Sequence, residues 1–348
     1  MHKYLGIDIG SYNMKIADIT ISKNVTMDNL TIVKTPRFLI QNGRIPEKDE
    51  FIALLKETLL KRNSKIKNAV IVLNDSVVIT RDKVLPSGNR KELGQMVKID
   101  ASEYLPNGID NYTIRYKILD SPDNSKNSSY VLMTSVRNDM LMDLYECFRK
   151  AGVKPVAIDT TMNSMLKYMK RCSLKSNVAM IDLGAAYTKL ILTANGTLNY
   201  QQIMNHSSQK IDIMISTGLG IEREEAEENK IKYGLGALKD LNASNEERNV
   251  CGIINNQIDL ILNDIYKHFD TFATKNPDKG IEQILLTGGM ANMRGLATYI
   301  SEAFNLPCNI VGQGEEFVIS KKTAIDEDDG EGQMAFFSNI AGAVCRGE

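Results

Sequence analysis

The sequence predicts an α/β protein built from two similar sheet domains. The first observation is a repeated turn: Gly6-Ile7-Asp8-Ile9-Gly10-Ser11 and Met180-Ile181-Asp182-Leu183-Gly184-Ala185 each place an aspartate at the end of an apolar strand, followed two positions later by a glycine. The two aspartates lie 174 residues apart in a chain of 348. The second observation is that short strands followed by helices occur twice, which is typical of α/β architecture. The third is length, which fits two domains better than one core.

In the first half, the apolar periodicity predicts three strands within residues 4–34, a helix at about 48–61, and strands at 70–73 and 77–84. A segment with its own pattern follows at about 85–157: a helix, two strands and a second helix. This segment is long enough to form a subdomain. We therefore expect an inserted α-β-β-α subdomain in the first domain.

The second half repeats the strand pattern over residues 178–204 and continues with helices that form an outer helical subdomain at about 207–280. A strand at 284–286, a glycine-rich turn and a helix over 336–345 complete the chain. The expected domains are residues 1–177 with 335–348, and residues 178–334.

A third strand ends in a turn at Thr287-Gly288-Gly289-Met290. Taken singly, each of the three turns is also a common plain connection. Together they suggest a ligand, because glycine allows close backbone approach, successive amides form an anion-binding concavity, and a carboxylate can hold a hydrated divalent ion. Lys15, seven positions after Asp8, adds a positive charge. The three turns predict a nucleotide phosphate with magnesium, held in a cleft between the two halves.

The composition argues against several classes of protein. A net charge of −1 gives no general attraction to nucleic acid. The five cysteines are widely spaced without a C-x-x-C pair, which favours reduced thiols in a cytosolic protein. The start runs directly into a strand and the end leaves no room for an amphipathic anchor. No run of about 18 apolar residues exists. We expect no direct membrane insertion.

The three turns resemble the phosphate-1, phosphate-2 and adenosine motifs of the actin and heat-shock ATPase superfamily, and the insertion is placed as in its FtsA-like branch. Over nearly the whole chain the sequence resembles the PilM family of type IV pilus assembly proteins. The resemblance implies an actin-like ATPase fold that binds ATP and Mg²⁺ in the cleft. It is carried by Leu85-Pro86, Glu103-Tyr104-Leu105-Pro106, Arg137, Ala151-Gly152-Val153, Ile158-Asp159, the helix 224–230 and the ending Ser338-Asn339-Ile340-Ala341-Gly342-Ala343-Val344.

The resemblance also implies roles for individual residues. Asp8 and Asp182 would position magnesium and its water shell. Without the resemblance, Glu227 and Lys230 are equally well explained as a solvated ion pair, one turn apart on a helix. The implied phosphate contacts are Gly10, Ser11, Tyr12, Lys15, Gly184, Ala185 and Thr188, and the implied nucleoside contacts are Glu227, Lys230, Gly288, Gly289 and Met290.

The sequence departs from the superfamily at two places. Ser207-Ser208 stands where a Gly-Gly pair usually opens a helix, and Ser208 is explained as a helix N-cap. The heat-shock ATPases align a water-activating glutamate with Thr160, and threonine has no useful basicity at neutral pH. Asp159 is adjacent, with an orientation that sequence does not fix. We therefore expect ATP hydrolysis to be weak or absent.

The function implied by the resemblance is a cytoplasmic ATP-binding adaptor of the type IV pilus inner-membrane platform. It would bind the N-terminal cytoplasmic tail of a PilN-like membrane protein beside the inserted subdomain and so lie at the inner face of the membrane. Contacts with other platform or motor proteins and a homodimer are left open. The alternatives are an FtsA-like cytoskeletal protein of cell division and a small-molecule kinase of the same superfamily.

Overall fold

The structure is a computed structural model that describes residues 2–41, 44–119, 127–275, 280–312, 314–320 and 330–345. The chain divides into two compact units. The first comprises Met1–Lys167, Thr197–Asn199 and Asn339–Glu348, and the second comprises Tyr168–Gly196 and Tyr200–Ser338.

Both units contain strands and helices. The strands are β1 (His2–Ile9), β2 (Asn13–Ile21), β3 (Val25–Lys34), β4 (Asn68–Leu73), β5 (Ile79–Pro86), β6 (Tyr112–Leu119), β7 (Ser128–Arg137), β8 (Lys154–Thr160), β9 (Val178–Leu183), β10 (Thr188–Ala194), β11 (Thr197–Met204), β12 (Gln283–Thr287), β13 (Cys308–Ile310) and β14 (Phe317–Ile319). The helices are α1 (Lys48–Arg62), α2 (Arg90–Tyr104), α3 (Asn138–Lys150), α4 (Thr161–Arg171), α5 (Ser208–Leu219), α6 (Arg223–Tyr233), α7 (Asn245–Lys275), α8 (Leu296–Phe304) and α9 (Gly330–Ala343). Within the described ranges, none of these helices is long and apolar enough to cross a bilayer.

The first unit is built on a sheet in which β3, β2, β1, β4 and β8 lie side by side in that order. β1 runs antiparallel to β2 and parallel to β4, so that Ile9 lies opposite both Met14 and Leu73. β4 and β8 are also parallel. The carboxyl ends of β1, β4 and β8 therefore meet at one edge, the usual place for a ligand in an α/β sheet. Helices α1 and α3 contribute Phe51 and Phe148 to the core. The two rings pack edge to face, with their centroids 5.9 Å apart.

The inserted subdomain contains one strand more than the sequence predicted. β5 pairs antiparallel with β7, from Ile79 opposite Ser135 to Pro86 opposite Ser128, and β6 pairs with the other side of β7. The sheet order is therefore β5-β7-β6. The predicted helix, two strands and helix are present as α2, β6, β7 and α3, and β5, which was placed before the insertion, joins the same sheet. A residue pattern predicts a strand but not the sheet that it joins.

Helix α2 covers only one face of the inserted sheet. Its Leu93 packs with Met133 of β7 in a small buried cluster. Because side chains alternate along a strand, Tyr130 and Leu132 of β7 point to the opposite face, where they are half-buried. Val84 of β5 lies opposite Tyr130 in register and is 53% exposed. We call this surface, formed by Val84, Tyr130 and Leu132, the open face.

The second unit is built on a sheet with the order β11-β10-β9-β12-β13. β9 is antiparallel to β10 and parallel to β12. All residues of β9 and β10 are buried, and helices α5, α6 and α7 contribute Ile211, Ala226 and Ile254 to the same core. These three helices lie within the segment predicted as an outer helical subdomain.

Candidate functional site

The first turn, residues 9–13, lies in the first unit and joins β1 to β2. Asp8 and Lys15 face each other across this hairpin, and the Lys15 Nζ lies 3.1 Å from Asp8 Oδ2. The Asp8 side chain is only 3% exposed and that of Lys15 is 15% exposed. Glycine is required at position 10, because an added Cβ would lie 2.6 Å from the carbonyl oxygen of Asn13. The expected carboxylate, glycine and lysine are therefore brought together in one hairpin.

Two residues that sequence reasoning missed hold this turn in place. Thr35, directly after β3, donates its amide to the Tyr12 carbonyl at 2.9 Å and its hydroxyl to the Gly10 carbonyl at 2.8 Å. Asn74, directly after β4, donates from Nδ2 to the Ser11 hydroxyl at 2.7 Å. The Ser11 amide has no acceptor in the part of the chain that the structure describes. The Gly10 and Tyr12 carbonyls accept hydrogen bonds from Thr35, and the Ser11 amide remains available to bind an anion.

The second turn, residues 183–187, joins β9 to β10 in the second unit and has the same construction. Lys189 Nζ lies 3.4 Å from Asp182 Oδ2, and the two side chains are 7% and 6% exposed. An added Cβ at Gly184 would lie 2.7 Å from the carbonyl oxygen of Tyr187. Sequence reasoning missed Lys189. The sequence does indicate this residue, because both repeats read Asp-x-Gly with a lysine seven positions after the aspartate.

Helix α5 and the neighbouring chain occupy the carbonyls of the second turn. The amides of Ser208 and Gln209 donate to the carbonyls of Gly184 and Ala185 at 3.1 and 3.2 Å. The Ala185 amide, like that of Ser11, has no acceptor among the residues described here. The N-cap is Ser207, whose Oγ accepts from the Lys210 amide at 3.1 Å, so the expected N-cap role of Ser208 is wrong.

Thr188 has a different role from the phosphate contact that the resemblance implied. It is fully buried, and its hydroxyl donates to the His206 carbonyl at 3.1 Å. A hydroxyl carries one proton, so Thr188 has none left for a phosphate oxygen in this arrangement. We therefore assign Thr188 to the support of the second turn and leave it out of the proposed phosphate contacts.

The third turn, residues 287–290, lies directly beside the second. β12 and β9 pair with Thr287 opposite Asp182, and the Met290 amide donates to the Leu183 carbonyl at 3.2 Å. Gly288 has a φ of +90°, and an added Cβ there would overlap Asp182 Oδ1 and lie 2.8 Å from the Leu183 oxygen. The side chain of Met290 is buried in the core, and Gly289 is exposed. The second unit thus brings two of the three predicted motifs together.

The expected pair of Glu227 and Lys230 is not a solvated ion pair of helix α6. The side chain of Lys230 is 7% exposed, forms an ion pair with Asp212 of α5, and donates to the Ser208 hydroxyl at 2.8 Å. Burial raises the pKa of the Asp212 carboxyl, although the Lys230 ammonium opposes this. Glu227 is half-buried on the same helix. Through Ser208, Lys230 is connected to the helix end that supports the second turn.

The position where the heat-shock ATPases have a water-activating glutamate is Thr160, next to Asp159. Asp159 Oδ1 accepts from the Thr160 amide at 2.8 Å and from Asn163 Nδ2 at 2.7 Å. Its Oδ2 accepts from Lys167 Nζ at 2.7 Å. The Thr160 hydroxyl accepts from the Asn163 amide at 3.3 Å. Asp159 therefore serves the start of helix α4 and is not oriented as a free base.

A family model described as type IV pilus assembly protein PilM matches residues 6–329. The chain belongs to this family. The matched residues of this PilM-family chain include all three turns and the inserted subdomain, and they favour the PilM assignment over the FtsA-like and kinase alternatives.

Solved structures confirm the predicted actin-like ATPase fold. A PilM-PilN type IV pilus biogenesis complex is 20% identical, with 98% of this chain and 97% of that chain covered and a TM-score of 0.82. The ethanolamine utilization protein EutJ from Carboxydothermus hydrogenoformans is 12% identical, with 100% and 90% covered and a TM-score of 0.55. MreB5 of Spiroplasma citri bound to ADP is 14% identical, with 98% and 95% covered and a TM-score of 0.54. At these identities the likeness concerns the fold.

Proposed function

We propose that this PilM-family chain is an ATP-binding adaptor of the type IV pilus assembly machinery. The observation that carries the nucleotide part is the repeated hairpin, in which an aspartate, a glycine and a lysine recur with the same spacing and the same contacts. Its family membership carries the pilus part. ATP is favoured as the ligand because a related fold, MreB5, has been solved with ADP bound.

In this proposal the amides of Ser11 and Ala185 contact phosphate oxygens, supported by the neighbouring Gly10, Tyr12 and Gly184. A backbone amide without a protein acceptor can bind an anion without a positively charged side chain. Lys15 adds an ammonium group at the first turn. In the second unit, the third turn contributes the backbone of Gly288, Gly289 and Met290 and helix α6 contributes Glu227 and Lys230, as contacts for the nucleoside.

The residues present fit a magnesium ion that arrives with the nucleotide. The lysines contact the Oδ2 atoms of Asp8 and Asp182, and the two Oδ1 atoms have no donor within the described residues. Magnesium prefers oxygen ligands and retains several waters beside phosphates. When bound, it would neutralise phosphate charge. Because each carboxylate is already paired with an ammonium group, we propose that neither turn holds the metal tightly before the nucleotide binds.

Hydrolysis of the bound ATP is expected to be slow. Thr160 is not basic and Asp159 accepts three hydrogen bonds at the start of α4, so no described carboxylate at this position is free to activate water. In a single-turnover experiment with enzyme in excess of ATP, we expect a rate below about 1 s⁻¹, an ordinary enzymatic rate. The Asp182→Asn variant measures contaminating activity. A wild-type rate well above this value, absent from the variant, would contradict the expectation.

We propose a PilN-like cytoplasmic tail as the protein partner. The support is a solved PilM-PilN complex of the same fold and the open face of the inserted sheet, where Val84 is 53% exposed beside half-buried Tyr130 and Leu132. β5 is the first strand of its sheet in the order β5-β7-β6. An extended peptide can add to such an edge or lie in an apolar groove. Tail binding would place the chain at the cytoplasmic face of the inner membrane.

The double variant Val84→Ala, Leu132→Ala tests the open face. Removing both side chains takes apolar contacts from the proposed surface, so we expect tail affinity to fall about tenfold or more. ATP affinity should stay within about twofold, since neither residue belongs to one of the three turns. Fluorescence anisotropy with a labelled peptide of the cognate PilN-like N-terminal tail measures the first quantity.

The matched control is Ile118→Ala. Ile118 is 54% exposed on the same sheet, but it lies opposite Val131 and therefore on the α2 side. We expect the Ile118→Ala variant to bind the tail with the affinity of the wild type. Unchanged tail binding in the double variant would remove the open face from the proposal and leave the nucleotide part intact.

A further inference from the structure

Lys189 is a charged residue on a strand that is otherwise uncharged and entirely buried. β10 reads Thr-Lys-Leu-Ile-Leu-Thr-Ala, with all seven positions buried. Removing a charged group from water is costly, and apolar residues of similar volume often stabilise a core equally well. A buried ammonium group at this position therefore calls for an explanation beyond packing.

The repeat supplies that explanation. Lys189 stands seven residues after Asp182, as Lys15 stands seven residues after Asp8. In each hairpin the lysine and aspartate are direct cross-strand neighbours, and each Nζ lies within 3.4 Å of an Oδ2. Both carboxylates are at the start of a turn whose amide at Ser11 or Ala185 is left without an acceptor among the described residues. The same charge pair is thus placed beside both candidate phosphate sites.

A carboxylate beside a phosphate site creates an electrostatic problem. Like charges repel strongly at low effective dielectric constant, and the Asp182 side chain is 6% exposed. Without compensation, that charge would oppose the approach of a polyphosphate. An ammonium group 3.4 Å from Asp182 Oδ2 cancels most of the charge at longer range, while Oδ1 lies beside Gly288 of the third turn.

We propose that Lys189 is a charge-compensating residue that allows the nucleotide polyphosphate to approach Asp182, as Lys15 does for Asp8. This inference rests on the proposed nucleotide binding. It predicts a particular dependence on magnesium. If Mg²⁺ accompanies the nucleotide, the metal would itself supply positive charge near the phosphates, so the lysine would matter less. When Mg²⁺ is absent, Lys189 is the main source of compensation at the second turn.

The test is the affinity for ATP of the full chain with excess Mg²⁺ and with EDTA, for wild type, Lys189→Met and Lys189→Arg. For Lys189→Met we expect Kd in EDTA to rise about tenfold or more, as for loss of one partner of a buried charge pair. With Mg²⁺ we expect a rise of about threefold or less, because the metal carries the compensating charge. Lys189→Arg retains the charge and should behave like wild type in both buffers.

Two further variants make the comparison specific. Lys15→Met should show the same pattern as Lys189→Met, since the two hairpins are equivalent. Lys61→Met, whose side chain is 75% exposed on helix α1, should leave both affinities unchanged. Thermal unfolding checks that each variant is folded, and Lys189→Gln, which keeps a donor for Asp182, replaces Lys189→Met if the latter does not fold.

The outcomes separate the inference from its premise. Equal weakening in both buffers would show a structural role, and a larger loss with Mg²⁺ would show that Lys189 positions Asp182 for the metal; either result overturns the inference. So does unchanged affinity in both buffers. Wild-type protein that binds ATP in neither buffer would overturn the proposed nucleotide function itself, and the wild-type titration shows this before any variant is compared.

Discussion

Replacing Gly288 with alanine is expected to destabilise the second unit and to abolish ATP binding together. The residue has a φ of +90°, which costs an L-residue about 1–2 kcal/mol. Its new methyl group would overlap Asp182 Oδ1 and lie 2.8 Å from the Leu183 oxygen, so both β9 positions must shift. The steric overlap and the unfavourable φ together are expected to lower the free energy of unfolding by about 3 kcal/mol. Urea unfolding and titration with fluorescent ATP measure the two effects.

Gly220→Ala is the matched control for this change. Gly220 has a φ of +66° at the end of helix α5, but an added Cβ there would have nothing within 4 Å. Its replacement tests the cost of the backbone conformation alone, about 1 kcal/mol, and should leave ATP affinity unchanged. If the two variants lose equal stability and both bind ATP normally, the contact between Gly288 and Asp182 has no role in the site.

Replacing both Asp8 and Asp182 with asparagine is expected to remove the advantage that Mg²⁺ gives to ATP binding. Asparagine keeps the shape and one oxygen for the neighbouring lysine but loses the negative charge that favours a hydrated metal. Loss of groups that orient a metal commonly lowers metal affinity about 10–100-fold. We therefore expect the ratio of Kd in EDTA to Kd in Mg²⁺ to fall to near one. Asp100→Asn, a buried aspartate paired with Lys83 away from the turns, is the control.

The local parts of this site could be predicted from the sequence. Each turn is a continuous segment, so the aspartate, the glycine and the following strand are visible as a pattern. Lys189 belongs to the same category, because the offset of seven residues from Asp182 repeats that of Lys15 from Asp8. It could have been found by aligning the two halves of the chain.

The partners that hold the turns could not be predicted in the same way. Thr35 binds the first turn from 25 residues away, and Asn74 binds it from 63 residues away. Lys230 pairs with Asp212 on a different helix. These contacts depend on which strands and helices become neighbours, and that is decided by the packing of the whole unit. The same reason explains why β5 was not assigned to the inserted sheet.

The most direct measurement is a calorimetric titration of the full chain with ATP and Mg²⁺, for wild type and for the Asp8→Asn, Asp182→Asn double variant. The repeated hairpins predict saturable ATP binding by the wild-type chain, and binding by the double variant that is weaker by about tenfold or more. No binding by wild type, or equal binding by both proteins, would contradict the assignment of the aspartate turns to nucleotide binding.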